Sequence, residues 1–377
     1  MANRSSIVYF FRHMGISIGA WIGAATLFSL VRLFGVEEED MYTLMVSNVD
    51  VIEVILIQGI LVGTAFGIFF SFSDLIFDRK FFRQFPYWAI IALRTILHIL
   101  VTLVILTVSI LATHLFLGDP IHVEGAELLA RSLFTKTALV IIIYTGVVSV
   151  LFNLIRQMNS MFGPGILFKI ITGKYHHPKE EERIFMFLDL KSSTTYAERL
   201  GHVLYSELIQ DCFYDLTDAV QAHNVSIYQY VGDEAVLTWT LKEGFRNLNC
   251  IEAFFSFERS IQARADYYFN KYDLVPAFKA GVNVGLVMVA EVGVIKKEIA
   301  YHSDVLNTAA RIQGRCNEFG KRLLISDILR KRLEARLGGR YHLETVGTVS
   351  LKGKQEKITI HSVEAHQASE HKYAFSE

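Results

Sequence analysis

Two aspartates lie where strand-like apolar runs end. Asp189 closes the run IFMFLDL, and Asp233 lies in the turn between SIYQYV and EAVLTW, 44 residues further along the chain. Gly-Asp turns are common at hairpin tips, so each aspartate taken alone fits a turn or cap residue. If the two strands are neighbours in one sheet, both carboxylates emerge at the same end. Such a pair suits Mg²⁺ or Mn²⁺, with substrate phosphates completing the coordination.

The residues directly after Asp189 predict an anion-binding element. The chain turns into a helix through Lys191, Ser192, Ser193 and Thr194. The free N–H groups and the positive dipole end of a helix start favour a phosphate chain. The first carboxylate therefore lies beside a candidate phosphate cradle, which favours a metal site over two unrelated turn residues.

A third group of polar residues follows towards the C-terminus. Asn307 and Arg311 are four residues apart and so share a helix face. Arginine suits charge that develops on a phosphoryl group, and asparagine can orient a ribose oxygen. Lys352 and Lys354 lie in the tight loop LKGK. By default such residues are solvated surface groups, so they indicate a functional site only in combination with the aspartates.

The elements that must position these residues alternate between strand and helix from residue 184 onwards. The pattern predicts a helix from SSTTYAERLG, a longer helix over 203–223, helical structure over 244–272, and one helix over VLNTAARIQGRCNEFG that ends at Gly320. These elements predict an α+β domain around a mixed or mainly antiparallel sheet flanked by helices. The three cysteines, Cys212, Cys250 and Cys316, have no metal-ligand spacing and are predicted to be reduced thiols in or near the core.

The N-terminal half is built differently, because Ile, Leu, Val, Phe and Gly dominate it. Four apolar runs are long enough to span a bilayer, near 7–34, 50–72, 87–117 and 133–156. Residues 37–40 are EEED, whereas 78–85 read DRKFFRQF, so the basic loop is predicted to be cytoplasmic. This orientation predicts a multi-pass protein of the cell (inner) membrane, with the N-terminus and everything after 156 in the cytoplasm. No cleavable signal peptide is evident.

Small and ionisable residues inside these runs suggest two further interpretations. Glycines recur every fourth residue in the first two runs, at 15, 19, 23 and at 59, 63, 67. Such stripes pack helices closely, either within one protomer or at a dimer seam. His13, His98 and His114 raise the alternative of a haem held between helices, although they do not clearly pair at one depth.

Composition shifts define the predicted domain organisation. We expect a transmembrane domain over 1–156, a coupling linker over 157–183, a catalytic domain over 184–365 and a tail over 366–377. The linker is rich in Ile and Phe rather than Ser and Gly, so it is predicted to couple the two halves. The net charge of −1 argues against a nucleic-acid partner.

Together the polar motifs resemble a known family. FLDLKSST, YVGDEAV, DVLNTAARIQ and LKGK occur in the order and spacing of the class III nucleotide cyclase catalytic domain. The resemblance covers about 184–363, roughly half of the chain. It implies attack of the ribose 3′-oxygen of a nucleoside triphosphate on the α-phosphorus, with release of pyrophosphate.

The resemblance also implies a role for each matching residue. Asp189, Asp233 and the backbone carbonyl of Leu190 would hold two Mg²⁺ or Mn²⁺ ions. Asn307 would orient the ribose, Arg311 would stabilise the pentavalent phosphorus, and Lys354 would contact the phosphates. In this family one chain supplies the metal ligands and the other supplies Asn, Arg and Lys. A chain that carries both sets is therefore expected to form a homodimer with two equivalent sites.

Two positions depart from the family pattern for base recognition. The positions that usually read adenine are Gln229 and Ala300 here, and the Glu/Cys pair typical of guanine readers is absent. Glutamine can both donate to and accept from adenine. ATP is favoured as the family's usual substrate. The alternatives are a guanylate cyclase, a cyclase-like nucleotide receptor without turnover, and a transporter or channel. The ligand of the membrane domain stays unknown.

Overall fold

The computed structural model describes residues 4–33, 51–77, 82, 85–117, 136–163, 165–337, 339–350 and 357–365. The chain divides into two compact units, Met1–Met161 and Phe162–Glu377. The finer division into domain, linker and tail stays a prediction.

The N-terminal unit contains the four long apolar helices that the sequence predicts. They are α1 Arg4–Leu33, α2 Val51–Phe77, α3 Tyr87–Leu117 and α4 Lys136–Phe162. Each contains a stretch of 19 to 25 residues with a mean hydropathy of 1.7 to 2.5, long and apolar enough to cross a membrane. Many large apolar side chains on these helices are exposed, including Val104 and Ile143. Outward-facing apolar side chains are typical of helices that pack in lipid.

The two glycine stripes behave differently. On α2, a methyl group at Gly63 or Gly67 would overlap the backbone of Ile22 or Ile18 on α1. The α2 stripe therefore forms a close seam with α1 inside one protomer. The α1 glycines have no atom within 4 Å of an added Cβ in the described part of the chain. They take no part in this seam.

His98 on α3 is a buried, hydrogen-bonded residue of the N-terminal unit. Its Nδ1 lies 2.6 Å from the Ser149 hydroxyl, and its Nε2 lies 3.4 Å from the Ser73 hydroxyl. Both ring nitrogens thus face hydroxyl groups, an arrangement that does not favour an axial haem ligand. His13 is exposed on α1, and the His114 side chain lies outside the described residues.

The break predicted after the last apolar helix is present. Helix α4 ends at Phe162, and Gly163 and Gly165 have φ values of 93° and 73°, which favour glycine. Helix α5, Ile166–Ile171, follows and packs Ile166 and Ile170 against the C-terminal unit. The segment after α4 is therefore folded onto that unit rather than forming an inert tether.

The C-terminal unit is an open sheet with helices packed against it. Its elements are β1 Lys179–Leu190, α6 Ser193–Ala222, β2 Ser226–Val231, β3 Glu234–Thr240, α7 Leu241–Phe245, α8 Asn249–Ala263, α9 Ala265–Tyr272, β4 Phe278–Val292, β5 Glu298–His302, α10 Asp304–Gly314, β6 Leu323–Ser326, α11 Asp327–Leu333, β7 Tyr341–Ser350 and β8 Lys357–Ala365. The strand order is β2-β3-β1-β4-β6-β8-β7, and β5 pairs with β4. The β4–β6 pair is parallel and the other pairs are antiparallel. This is the mixed, mainly antiparallel sheet that the sequence predicts.

The central strands β1 and β4 place the site at one end of the sheet. They pair over the full length of β1, from Lys179 opposite Val289 to Leu190 opposite Phe278. The linker enters at the Lys179 end, and Asp189 lies at the other end. At about 3.3 Å per residue, this strand carries Asp189 roughly 33 Å away from Lys179.

Some element boundaries differ from the prediction. Strand β1 begins at Lys179 rather than at 184, because its charged start pairs with β4. Helix α6 is continuous with a kink at Gly201, and the 244–272 segment is interrupted at Leu248, where φ is 60°. Helix α10 ends at Gly314, and turns lead from there to Gly320. All three cysteines are free and buried, as predicted.

Candidate active site

Three carboxylates meet at the end of the central strands. Strand β1 pairs directly with β3, and this register sets Asp189 opposite Glu234. Asp233 precedes Glu234 in the hairpin turn, where Gly232 supplies a φ of 62°. The two strands are therefore neighbours, and the sheet brings Asp189 and Asp233 to the same end. Glu234, which the sequence analysis passed over, is a third acidic group there.

Two side chains from other elements contact Asp189. Nε2 of Gln313 on α10 donates a hydrogen bond to Oδ2 of Asp189 at 2.9 Å. Nζ of Lys279 on β4 lies 3.3 Å from the same oxygen. Lys279 is opposite Asp189 in the β1–β4 register, so its position follows from strand pairing.

The electrostatics of this end are unfavourable for three ionised acids. Burial raises the pKa of Asp189, and the charge of Asp233 raises it further, against the effects of Lys279 and Gln313. Burial also raises the pKa of Glu234 to about 7, with added repulsion from Asp189 and Asp233. Closely spaced carboxylates resist simultaneous ionisation, so a cation bound here would relieve the repulsion.

The residues present fit a divalent cation. The Oδ2 atom of Asp233 is buried and has no hydrogen-bond partner in the described part of the chain. A buried carboxylate oxygen without a partner is costly unless a ligand contacts it. Among the described residues, no group of three or more His, Cys, Asp or Glu could by itself hold a metal ion. The oxygens of Asp189 and Asp233, with the carbonyl of Leu190, would leave coordination positions for substrate phosphates.

The start of α6 lies directly after this carboxylate end. Ser192 precedes the helix with φ of 60°, and its side chain makes no capping hydrogen bond. The first turn contains no acidic residue, Ser192 and Thr194 are exposed, and Ser193 is half-buried. The first N–H groups of a 30-residue helix are thus available to an anion.

Helix α10 carries the two predicted residues Asn307 and Arg311. Ser303 caps the helix by accepting a hydrogen bond from the Val305 N–H at 3.2 Å. Asn307 is exposed and Arg311 is half-buried. In the described residues no hydrogen bond or ion pair joins either one to Asp189 or Asp233 of the same chain.

The remaining predicted residues are dispersed. Gln229 is exposed on β2, where a bulge separates it from Ile227 in the pairing with β3. Ala300 is half-buried on β5, opposite Ala290. Lys354 and the LKGK loop lie outside the described residues.

Sequence reasoning missed Lys279, Gln313 and Glu234. Glu234 follows Asp233 directly, so the sequence already showed a second acidic residue at the hairpin turn. Lys279 and Gln313 contact Asp189 only because β4 and α10 pack beside β1. No local spacing reveals that contact.

The profile of the adenylate and guanylate cyclase catalytic domain matches residues 176–365. The chain belongs to this family, the class III nucleotide cyclases. It therefore carries a nucleotide cyclase catalytic domain, of a kind that binds nucleotide, acts as a dimer and generally uses divalent metal ions.

Adenylate cyclase 2 from Rhizobium meliloti (strain 1021) is 30% identical to this cyclase over 307 residues, which cover 81% of this chain and 84% of that protein. Only 202 of the 377 residues lie from residue 176 onwards, so this alignment extends into the apolar N-terminal half.

The fold is also similar to solved structures. One structure of a bacterial light-regulated adenylyl cyclase has a TM-score of 0.51 and 17% identity, covering 61% of this cyclase and 67% of that chain. Another has a TM-score of 0.49 and 17% identity, covering 58% of this cyclase. This cyclase spans 63% of the length of that second chain.

Proposed function

We propose that this protein is a membrane-anchored adenylate cyclase that converts ATP to cyclic AMP and pyrophosphate. The observation that carries the proposal is the meeting of Asp189 with Asp233, whose buried Oδ2 has no partner in the described residues. The R. meliloti relative, named as an adenylate cyclase, supports ATP as the substrate.

Residues of a single chain would bind both the metal ions and the phosphates where Asp189 and Asp233 meet. Asp189, Asp233 and the Leu190 carbonyl would hold two Mg²⁺ or Mn²⁺ ions. When bound, such ions lower the pKa of the ribose 3′-hydroxyl and offset charge on the phosphates. Lys279 and Gln313 contact Asp189, and the N–H groups from Ser193 onwards would receive the phosphate chain.

The residues of α10 act in the other site of a homodimer. Asn307 is exposed on α10, and in the described residues no hydrogen bond or ion pair joins it or Arg311 to the carboxylates of its own chain, which supports a role in the partner's site. There Asn307 would orient the ribose, and Arg311 would stabilise charge on the α-phosphorus. Lys354 would contact the phosphates. The four apolar helices anchor this dimer in the cell membrane, with the catalytic domains in the cytoplasm.

ATP is distinguished from GTP by few contacts. Gln229 is exposed at the end of the sheet edge and can pair with adenine as both donor and acceptor. Ala300 offers no polar side-chain contact. The full-length protein is therefore incubated with Mn²⁺ and either ATP or GTP, and the cyclic product and pyrophosphate are measured. Cyclic AMP from ATP is expected; cyclic GMP would make it a guanylate cyclase, and bound nucleotide without product would make it a receptor.

The shared-site arrangement has its own test. An Asp189→Ala chain is mixed with an Arg311→Ala chain, so that one of the two sites in each mixed dimer has every group. If chains pair at random, about a quarter of wild-type activity should return. A mixture that stays inactive while mixed dimers form would reject the shared site.

A further inference from the structure

Gln313 makes a directed contact with a carboxylate of the proposed metal site. The residue is 7% exposed, and its Nε2 donates to Asp189 Oδ2 at 2.9 Å across 124 residues of sequence. The Lys279 ammonium approaches the same oxygen at 3.3 Å. Both contacts fall on Oδ2, so they restrict the rotation of the carboxylate and leave Oδ1 available to a ligand.

The backbone of α10 is held tightly where Gln313 leaves it. A methyl group at Gly281 on β4 would overlap the Gln313 backbone N–H and the Ala309 carbonyl. A methyl at Gly285 would approach Val305 Cγ2 to 2.6 Å. Only glycine permits this close approach of helix to strand. Since β4 also pairs with β1, the Gln313 side chain is preset against Asp189.

Asn307 and Arg311, which are proposed to act in the partner's active site, lie on a different side of α10 from Gln313. With about 100° per residue, Gln313 lies roughly 200° around the helix from Arg311. Gln313 and Ala309 face the sheet, whereas Asn307 is exposed. One helix of 11 residues thus carries both sets of residues.

We infer that Gln313 is a positioning residue for Asp189, and that α10 thereby links the two active sites of the dimer. In its own chain α10 orients a metal-binding carboxylate, and in the partner's site it supplies Asn307 and Arg311. This inference rests on the proposed function, which assigns the metal to Asp189 and the shared site to α10.

The first experiment measures metal binding without turnover. Mn²⁺ is titrated into the full-length protein with 3′-deoxy-ATP, which cannot cyclise, and free Mn²⁺ is followed by electron paramagnetic resonance. Gln313→Met is expected to weaken Mn²⁺ binding about 10-fold, as for other residues that orient metal ligands. Gln210→Met, on an exposed position of α6, is the matched control and should leave the affinity unchanged.

Gln313→Asn separates hydrogen bonding from packing. Asparagine is too short to reach Asp189, whereas methionine conserves volume but cannot donate. A hydrogen-bonding role therefore predicts similar weakening in both variants. A packing role predicts that only Gln313→Asn weakens binding, in step with a lower melting temperature. That pattern, or unchanged Mn²⁺ affinity in Gln313→Met, would overturn the inference.

The second experiment places Gln313→Met on one chain of the mixed dimer described above. In its intact site, the Arg311→Ala chain supplies Asp189, and the Asp189→Ala chain supplies Arg311. The Mn²⁺ concentration for half-maximal activity should rise at least fivefold more when Gln313→Met is on the chain that supplies Asp189. Equal effects from both placements would contradict a role through Asp189 in the same chain.

The two experiments also separate the inference from the proposed function. If the wild-type protein binds no Mn²⁺ with nucleotide, the metal assignment and the role of Gln313 fall together. If Mn²⁺ binds but the parent mixed dimer is inactive, the link between the two sites is rejected. The titration of the homodimers then still decides whether Gln313 orients Asp189.

Discussion

Two pairs of aspartates in the C-terminal unit have opposite surroundings. Asp211 and Asp215 lie four residues apart on α6, and both are almost fully buried. Asp211 Oδ2 accepts hydrogen bonds from the Tyr267 and Tyr272 hydroxyls at 2.6 Å each and from Lys271 at 3.1 Å.

Asp215 is satisfied in the same way. The Tyr268 hydroxyl donates to its Oδ2 at 2.7 Å, and the Arg264 guanidinium forms an ion pair with its Oδ1. These donors come from α9 and the residue before it, so the pair attaches α9 to α6. Carboxylates with this many donors are held in one place and have a structural role.

Taken as a pair, Asp189 and Asp233 have two donors in the described residues, whereas Asp211 and Asp215 together have five. Asp189 has Lys279 and Gln313, and Asp233 keeps a buried oxygen without a described partner. Glu234 adds a third acid whose pKa burial raises to about 7. The difference teaches that burial alone does not mark a functional acid. What marks it is like charge gathered where the protein supplies too few donors.

Asp233→Ala is the strongest way to test this contrast. Loss of a metal ligand should lower metal-dependent cyclisation on the order of 10³-fold. The melting temperature should stay the same or rise, because a like charge is removed. Both are measured on the full-length protein in detergent. Retained activity would reject the metal assignment.

Asp215→Ala should show the reverse pattern. The substitution leaves Arg264 and the Tyr268 hydroxyl without their carboxylate, and breaking a largely buried pair costs about 3–5 kcal/mol. A urea titration followed by tryptophan fluorescence measures the free energy of unfolding. Under conditions where the variant stays folded, its Mn²⁺ affinity should match that of the wild type. An unchanged unfolding free energy would make the two aspartate pairs equivalent.

Gly281→Ala tests the same comparison of the two aspartate pairs by displacing Gln313, a hydrogen-bond donor to Asp189, while leaving the carboxylates unchanged. The added methyl group collides with the α10 backbone, and such overpacking costs about 1–3 kcal/mol. Because Gln313 then shifts relative to Asp189, Mn²⁺ binding should weaken as well. Gly314→Ala, which meets no atom within 4 Å, is the control and should not destabilise the protein. Equal effects of both substitutions would show that the close approach at Gly281 is unimportant.

Tyr272→Phe is expected to have the smallest effect of these substitutions. It removes one of the donors to Asp211 and should cost about 1 kcal/mol of unfolding free energy, with activity preserved. Tyr230→Phe, at an exposed position on β2, is the matched control. A loss of activity without a loss of stability would assign Asp211 a functional role, and the two aspartate pairs would then no longer differ in role.

Much of this organisation was predictable from local patterns. The four apolar helices, the break at Gly163 and Gly165 and the mainly antiparallel sheet all follow from composition and periodicity. The neighbouring position of Asp189 and Asp233 was predicted on the condition that their strands pair, and β1 and β3 do pair. The boundaries at Lys179 and Gly314 were wrong, since strand pairing and turn geometry overrode local propensity there.

The sequence alone supplied the candidate residues of the proposed metal and phosphate site. Residue type and the order of strand, turn and helix are local properties, so Asp189, Asp233, Asn307 and Arg311 could be named from it. Only the tertiary structure decided which donors hold Asp189. Lys279 and Gln313 lie 90 and 124 residues further along the chain, and they reach it only because β4 pairs with β1 and Gly281 lets α10 approach. Contacts at such separation depend on the packing of the whole sheet, which no short stretch of sequence encodes.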